Sequence, residues 1–159
     1  MNWKKLLFTG FYSGYSPVAP GTAASILAML LYIIEYYIFG NKVWICNLLL
    51  VLIMIFPAIK LADAGEKYFG EKDPPQVVLD EIMGYWISIL LFSFNWKIVI
   101  YALLLFRIMD IIKPFPIKKT EDLKAGLGIM MDDYISGIYA NLSLRIIILI
   151  TGFFGVKIF

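Results

Sequence analysis

Three short stretches hold side chains suited to chemistry. They are the pairs Asp80-Glu81 and Asp132-Asp133, and the triad Arg107, Asp110 and Lys113 inside "FRIMDIIKPFPI" (106–117). At about 100° per residue, the triad lies within roughly 120° of arc on one helix face. The chain has no histidine, and its one cysteine, Cys46, sits in an apolar run. Imidazole chemistry, intrachain disulfides and cysteine zinc sites are therefore excluded, and Cys46 reads as a small core hydrophobe. Oxygen-only ligands favour a hard divalent cation, Mg²⁺ or Mn²⁺. Arg107 and Lys113 beside such a cation point to an anion, and phosphate is the usual one. Thr22 and Ser25 at a helix start, with Lys118, could add phosphate contacts. The glycines of "AGLG" (125–128) would let backbone approach closely.

The elements that must position these groups are unusually apolar. The 159 residues are 61% hydrophobic, with mean hydropathy +0.81, against about 45–50% apolar in a soluble domain. Five apolar segments stand out, at 22–39, 43–57, 77–94, 98–112 and 135–154. A membrane span needs roughly 20 residues. The first, third and fifth segments come close. The second reaches that length by running on into "AIKLADAGEKYF", and the fourth by including Arg107 and Asp110. The reading is an all-α, polytopic membrane helix bundle of about five membrane-embedded helices in a single domain, 1–159. Short connections at 40–42 and 95–97 predict antiparallel hairpins. Pro114 and Pro116 stop the fourth helix. The N-terminal stretch lacks a secretory apolar core and cleavage site, and its Trp3, Phe8, Phe11, Tyr12 and Tyr15 suit a membrane interface.

With five spans, Lys4, Lys5, Lys60, Lys67, Lys72, Lys113, Lys118, Lys119 and Lys124 fall on one side, and only Lys42, Lys97 and Lys157 on the other. The lysine-rich side is then cytoplasmic. Asp63, Glu66, Asp80, Glu81, Asp110, Asp132 and Asp133 reach that same face. Seven bare carboxylates there would repel one another, and bound cations with Arg107 and Lys113 would relieve this. Gly84 and Gly137 each lie four residues after an acid, on its helix face, where a missing side chain lets helices converge. Glu35 and Arg145 lie at similar depth, about 20 Å in, and are expected to pair, with Asn141 nearby.

Simpler roles exist for each feature alone. The paired acids also suit helix N-termini, the triad also suits a snorkelling helix end, and "PGT" (20–22) is ordinary cap chemistry. All of them together on one face of a bundle fit an active site better.

The stretches "SPVAPGTAAS" (16–25), "KDPPQVVLDEIMGYW" (72–86), "FRIMDIIKPFPI" (106–117) and "GLGIMMDDYISGIYA" (126–140) resemble the bacterial phosphatidylglycerophosphatase A family. The resemblance covers most of the chain. It implies a Mg²⁺-dependent hydrolysis of phosphatidylglycerophosphate to phosphatidylglycerol at the bacterial inner membrane, with the site facing the cytoplasm. The acidic signature falls on Asp80, Glu81, Asp110, Asp132 and Asp133 as metal ligands, with Asp80, Asp110, Asp133 and Arg107 as catalytic groups. Thr22, Ser25, Arg107, Lys113 and Lys118 are the expected substrate contacts. Ala24, Met109 and "YISG" (134–137) depart from the commoner family pattern without touching a charge, while Asp63 and Glu66 are less secure as site residues. A divalent-cation transporter or channel, and a lipid-headgroup transferase, are the alternatives. Polar groups confined to one face argue against the first, and the lack of a "DGxxAR" spacing against the second. No nucleic-acid partner is expected, and the oligomeric state is open.

Overall fold

The structure is a computed structural model that describes residues 2–120, 123 and 125–155. Lys124 and Lys157, and the side chain of Lys119, fall outside the described residues. The chain is all-helical, with no strand among the described residues.

Five helices overlap the five apolar segments, with changed bounds, and one of them is short. They are α2 (Pro20–Phe39), α3 (Val43–Phe69), α4 (Leu79–Ser88), α5 (Trp96–Ile112) and α7 (Gly126–Phe153). Two short helices, α1 (Trp3–Phe8) and α6 (Ile117–Thr120), flank them. Pro20 opens α2 from a position where its missing N–H is harmless. A single turn at Gly40–Lys42 separates α2 from α3. The third helix runs through Pro57 and ends on Gly70, whose φ of 75° forms the left-handed cap. Asn95 caps α5 by accepting from the Lys97 N–H at 2.8 Å.

Two stretches are long and apolar enough to cross a membrane, Pro20–Phe69 and Gly126–Phe153. The first of these folds as α2, the turn and α3. The ten residues of α4 extend only about 15 Å, too short to span. Large apolar side chains nonetheless cover the outer faces, including Ile34, Tyr37 and Ile38 on α2, Leu52, Ile53 and Phe56 on α3, and Leu149 and Phe153 on α7. Contiguous exposed apolar surface of this kind suits lipid.

The short helix α4 is the centre of the bundle. Every residue in it except Glu81 is buried, and it packs on α2, α3, α5 and α7. A helix that ends inside a bundle leaves carbonyls that must find donors elsewhere. Asn47 Nδ2 donates to the Trp86 carbonyl at 3.1 Å. Asn141 Nδ2 reaches the Ser88 and Leu90 carbonyls, each at 3.0 Å. Arg145 donates to the Leu90 carbonyl at 3.0 Å and to Asn141 Oδ1 at 2.9 Å. The expected Glu35–Arg145 pair does not form. Arg145 is instead turned to the frayed end of α4, where a cation also suits the helix dipole, and stacks over Phe92 at 4.5 Å. Glu35 keeps a buried carboxylate oxygen without a hydrogen bond.

Candidate active site

The pinned half-helix α4 presents Asp80 and Glu81 from its first turn. Asp133 faces them from α7. Carboxylate oxygens of Asp80, Glu81 and Asp133 all lie within 4.8 Å of one another, and so do those of Asp110, Asp132 and Asp133. Asp133 is thus common to both groups. The five acids expected as ligands, separated by up to 53 residues in sequence (133 minus 80), form one continuous cluster.

Close helix contact makes this possible. A Cβ at Gly137 would overlap the Gly84 carbonyl oxygen, and one at Gly84 would press on the Phe106 ring and stand 3.0 Å from the Asp133 carbonyl oxygen. With no side chain at either position, α4 and α7 meet backbone to backbone. Gly21 at the start of α2 likewise leaves room for the Glu81 carboxylate, which a Cβ there would strike.

The helix-dipole alternative fails for the pair Asp132-Asp133 and does not extend to Asp110. The last helix begins at Gly126 rather than near Ile135, so Asp132 and Asp133 lie two turns in, beyond the reach of the dipole. Asp110 sits in the last turn of α5, where the dipole disfavours a negative charge. Only Asp80 and Glu81 occupy a first turn.

Two cations belong to the cluster. Arg107 Nη1 stands 3.0 Å from Asp110 Oδ2, and Lys113 Nζ donates to Asp132 Oδ2 at 2.8 Å. Lys113 is the cap residue of α5, at φ 46° in the left-handed region. A lysine there is strained, as residues at functional sites often are. Its N–H donates to the Met109 carbonyl at 2.8 Å, and the conformation sends its side chain across to α7. Ala125, just before α7, also has positive φ, at 54°.

The unmet valences describe the ligands this site would accept. Asp80 Oδ1, Glu81 Oε2 and Asp133 Oδ1 are buried acceptors without a hydrogen-bond donor, and Arg107 Nε is a buried donor without an acceptor. Buried polar atoms are seldom left so. Burial, then the neighbouring charge of Glu81, holds the Asp80 carboxyl well above the usual carboxylate range. Ionising this cluster requires positive counter-charge, which a divalent cation supplies. The all-oxygen donor set fits a hard metal ion.

The expected substrate contacts are only partly gathered. Thr22 is half-buried, one residue from the Gly21–Glu81 contact. Ser25 is fully buried and its hydroxyl donates to the Gly21 carbonyl at 2.8 Å. Lys118 is exposed on α6. Asp63 pairs with Lys67, and Glu66 accepts from the Asp73 N–H at 3.3 Å, so both serve the end of α3. Sequence reading missed Lys72 and Asp73. They line a cavity of about 280 Å³ with Asp132, although the quoted stretch 72–86 already began at Lys72.

Helices that converge carboxylates on one another, with an arginine and a lysine tied to them, form a site that could hold a cation with an anion beside it. The family model described as Phosphatidylglycerophosphatase A matches residues 6–148, and the chain belongs to that family. It is a phosphatase. The phosphatidylglycerophosphatase A of Escherichia coli K12 is 35% identical over 135 residues, covering 84% of this chain and 76% of that protein. That of Haemophilus influenzae is 35% identical over 137 residues, covering 85% and 82%. A protein of Bacteroides thetaiotaomicron named "Putative phosphatidylinositol-3-phosphatase" is 44% identical over 140 residues, covering 85% and 87%. No solved structure matches the chain.

Proposed function

We propose that this chain is a single membrane-embedded domain that hydrolyses phosphatidylglycerophosphate to phosphatidylglycerol and phosphate. Its acidic site would face the cytoplasm from a multi-pass bundle in the bacterial inner membrane. The observation that carries the reading is the pair of carboxylate groups sharing Asp133, with Arg107 and Lys113 bound to their edge. Family membership supplies the lipid. The Lys-rich loops and the apolar outer faces support the placement in the membrane.

Asp80, Glu81, Asp110, Asp132 and Asp133 would hold Mg²⁺, the hard cation suited to an all-oxygen set that also binds phosphate. A bound Mg²⁺ supplies Lewis-acid polarisation of the phosphoryl oxygens and an acidified water. Within the chain, the Arg107 guanidinium and the Lys113 ammonium offset charge on the equatorial oxygens as the ester opens. Asp110 and Asp132 hold those cations in place. Thr22 and the free N–H groups of the first turn of α2 would contact the phosphate, with Ser25 and Lys118 at the margin. Hydrolysis breaks the bond from phosphorus to the glycerol oxygen, which leaves with a proton. The attacking oxygen belongs either to water, or to one of Asp80, Asp110 and Asp133, giving an acyl phosphate that water then hydrolyses to phosphate and the free carboxylate. Single turnover in ¹⁸O-labelled water, with trapping of labelled protein, separates these routes.

The test is phosphate release by purified protein given phosphatidylglycerophosphate and Mg²⁺, beside an Asp133→Asn variant. Release by the first and not the second is expected. Metal flux without release would favour a transporter, and headgroup exchange a transferase. The Bacteroides relative supports a second reading, so phosphatidylinositol 3-phosphate belongs in the same assay. Faster release from it would reassign the substrate and keep the chemistry.

A further inference from the structure

The cavity beside the acidic cluster is walled by Lys72, Asp73, Ala125, Gly128, Ile129 and Asp132. Asp132 belongs both to this wall and to the cluster. Lys72 and Asp73 belong to the loop between α3 and α4, and the reaction derived above uses neither. That loop is firmly held. The Asp73 N–H donates to Glu66 Oε1 at 3.3 Å, and the Val77 N–H donates to the Pro74 carbonyl at 2.8 Å. The Gln76 carbonyl lies so close to Gly14 that a Cβ there would overlap it. Asp73 itself is fixed at φ 50°. A lysine and an aspartate on so constrained a loop present a defined polar wall.

The volume is about 280 Å³, room for a small polar group where a liquid water takes about 30 Å³. The headgroup of phosphatidylglycerophosphate carries two phosphates. The terminal monoester is the one cleaved, and a glycerol unit with one free hydroxyl joins it to an inner diester. Phosphatidylinositol 3-phosphate has the same pairing of monoester and diester, whereas phosphatidate has a monoester alone. With the monoester at Arg107 and Lys113, the remaining headgroup must occupy space next to the cluster.

We propose that this cavity is the subsite for the rest of the headgroup, with Lys72 paired to the diester phosphate and Asp73 accepting from the glycerol hydroxyl. It rests on the lipid phosphatase reading and extends it to substrate selection. Lys72 is a specificity residue here and takes no part in bond breaking.

The full chain in detergent micelles with Mg²⁺ tests this through Lys72→Gln and Lys72→Arg. For Lys72→Gln, KM for phosphatidylglycerophosphate should rise about tenfold, the effect of one lost charged contact, with kcat within about twofold. Inhibition by phosphatidylglycerol, which carries only the diester, should weaken by a similar factor. Hydrolysis of phosphatidate should be unchanged, and Lys72→Arg should recover most of the loss. If phosphatidate is not turned over, inhibition by phosphatidylglycerol makes the comparison alone. Equal loss on all lipids, or no change in KM and inhibition, overturns the subsite. A wild-type chain that releases no phosphate from any lipid overturns the phosphatase reading first, a result visible before any variant is made.

Discussion

Gly137 on α7 rests directly against the backbone of Gly84 on α4, with no room between them for a methyl group. Asp133 and Asp80, each one turn away on its own helix, are brought together by that contact. Gly137→Ala should therefore both destabilise and inactivate. The obstacle is a carbonyl oxygen, which cannot rotate aside as a flexible side chain would. The loss should reach about 1–3 kcal/mol, as for overpacked cores. Thermal unfolding in detergent measures it, and an unshifted midpoint would contradict the packing.

Asp133 is the one carboxylate common to both acidic groups. Asp133→Asn should lower kcat by about a thousandfold, the scale of losing a principal charge-stabilising group. Glu81→Gln affects one group only and should cost less. Steady-state phosphate release ranks the two, and the reverse order would mean that the groups act separately.

Lys113 combines backbone strain with a directed charge. Its φ of 46° favours glycine, so Lys113→Gly should destabilise the fold less than Lys113→Met, which loses the same pair to Asp132 and keeps the strain. Either change removes the ammonium from Asp132 and should lower kcat by about a hundredfold. Turnover equally low in both variants, with the glycine variant the more stable, is the expected result, and turnover that recovers with stability would make Lys113 a structural residue.

The acidic cluster was legible in the sequence because paired acids and a charged triad stand out in so apolar a chain. Type and side gave seven acids, the family resemblance narrowed them to Asp80, Glu81, Asp110, Asp132 and Asp133, and these five do converge. Gly84 and Gly137 could be selected by their spacing from an acid. The boundaries of the last helix were not legible. The last apolar segment was placed at 135–154, yet α7 begins at Gly126, where a Cβ would strike the Ile59 carbonyl. Depth arithmetic placed Glu35 and Arg145 at one level but assumed that α4 was a full span. Its end at Ser88 exposes carbonyls that draw Arg145 and Asn141 away, and no periodicity announces where a buried helix stops. The cavity wall at Lys72 and Asp73 was missed because a charged, proline-containing loop looks like any solvated connection.

That rearrangement around Arg145 predicts a particular pattern of coupling. Arg145→Met leaves the Leu90 carbonyl with one donor fewer, and Asn141→Leu removes the donor to Ser88 and Leu90 together. Each should destabilise by about 1–3 kcal/mol, the asparagine more. Arg145 and Asn141 share a hydrogen bond, so the double variant should depart from additivity by more than about 0.5 kcal/mol. Glu35→Gln with Arg145→Met should add within that margin. A large coupling to Glu35 would restore the ion pair that this packing excludes.

Metal binding should be measurable apart from turnover. Three buried carboxylate oxygens without donors, on Asp80, Glu81 and Asp133, make the fold itself sensitive to a cation. A ligand that binds only the folded state adds about 2.7 kcal/mol at a hundred times its dissociation constant. Mg²⁺ should thus raise the unfolding midpoint in detergent, and a chelator should lower it while abolishing phosphate release. Mn²⁺, seen directly by electron paramagnetic resonance, should bind the wild-type chain and bind Asp133→Asn at least about tenfold more weakly, since that change neutralises a ligand of both groups. A midpoint indifferent to Mg²⁺, with phosphate release persisting in chelator, would leave the carboxylates as acids acting alone and remove the metal from the reaction.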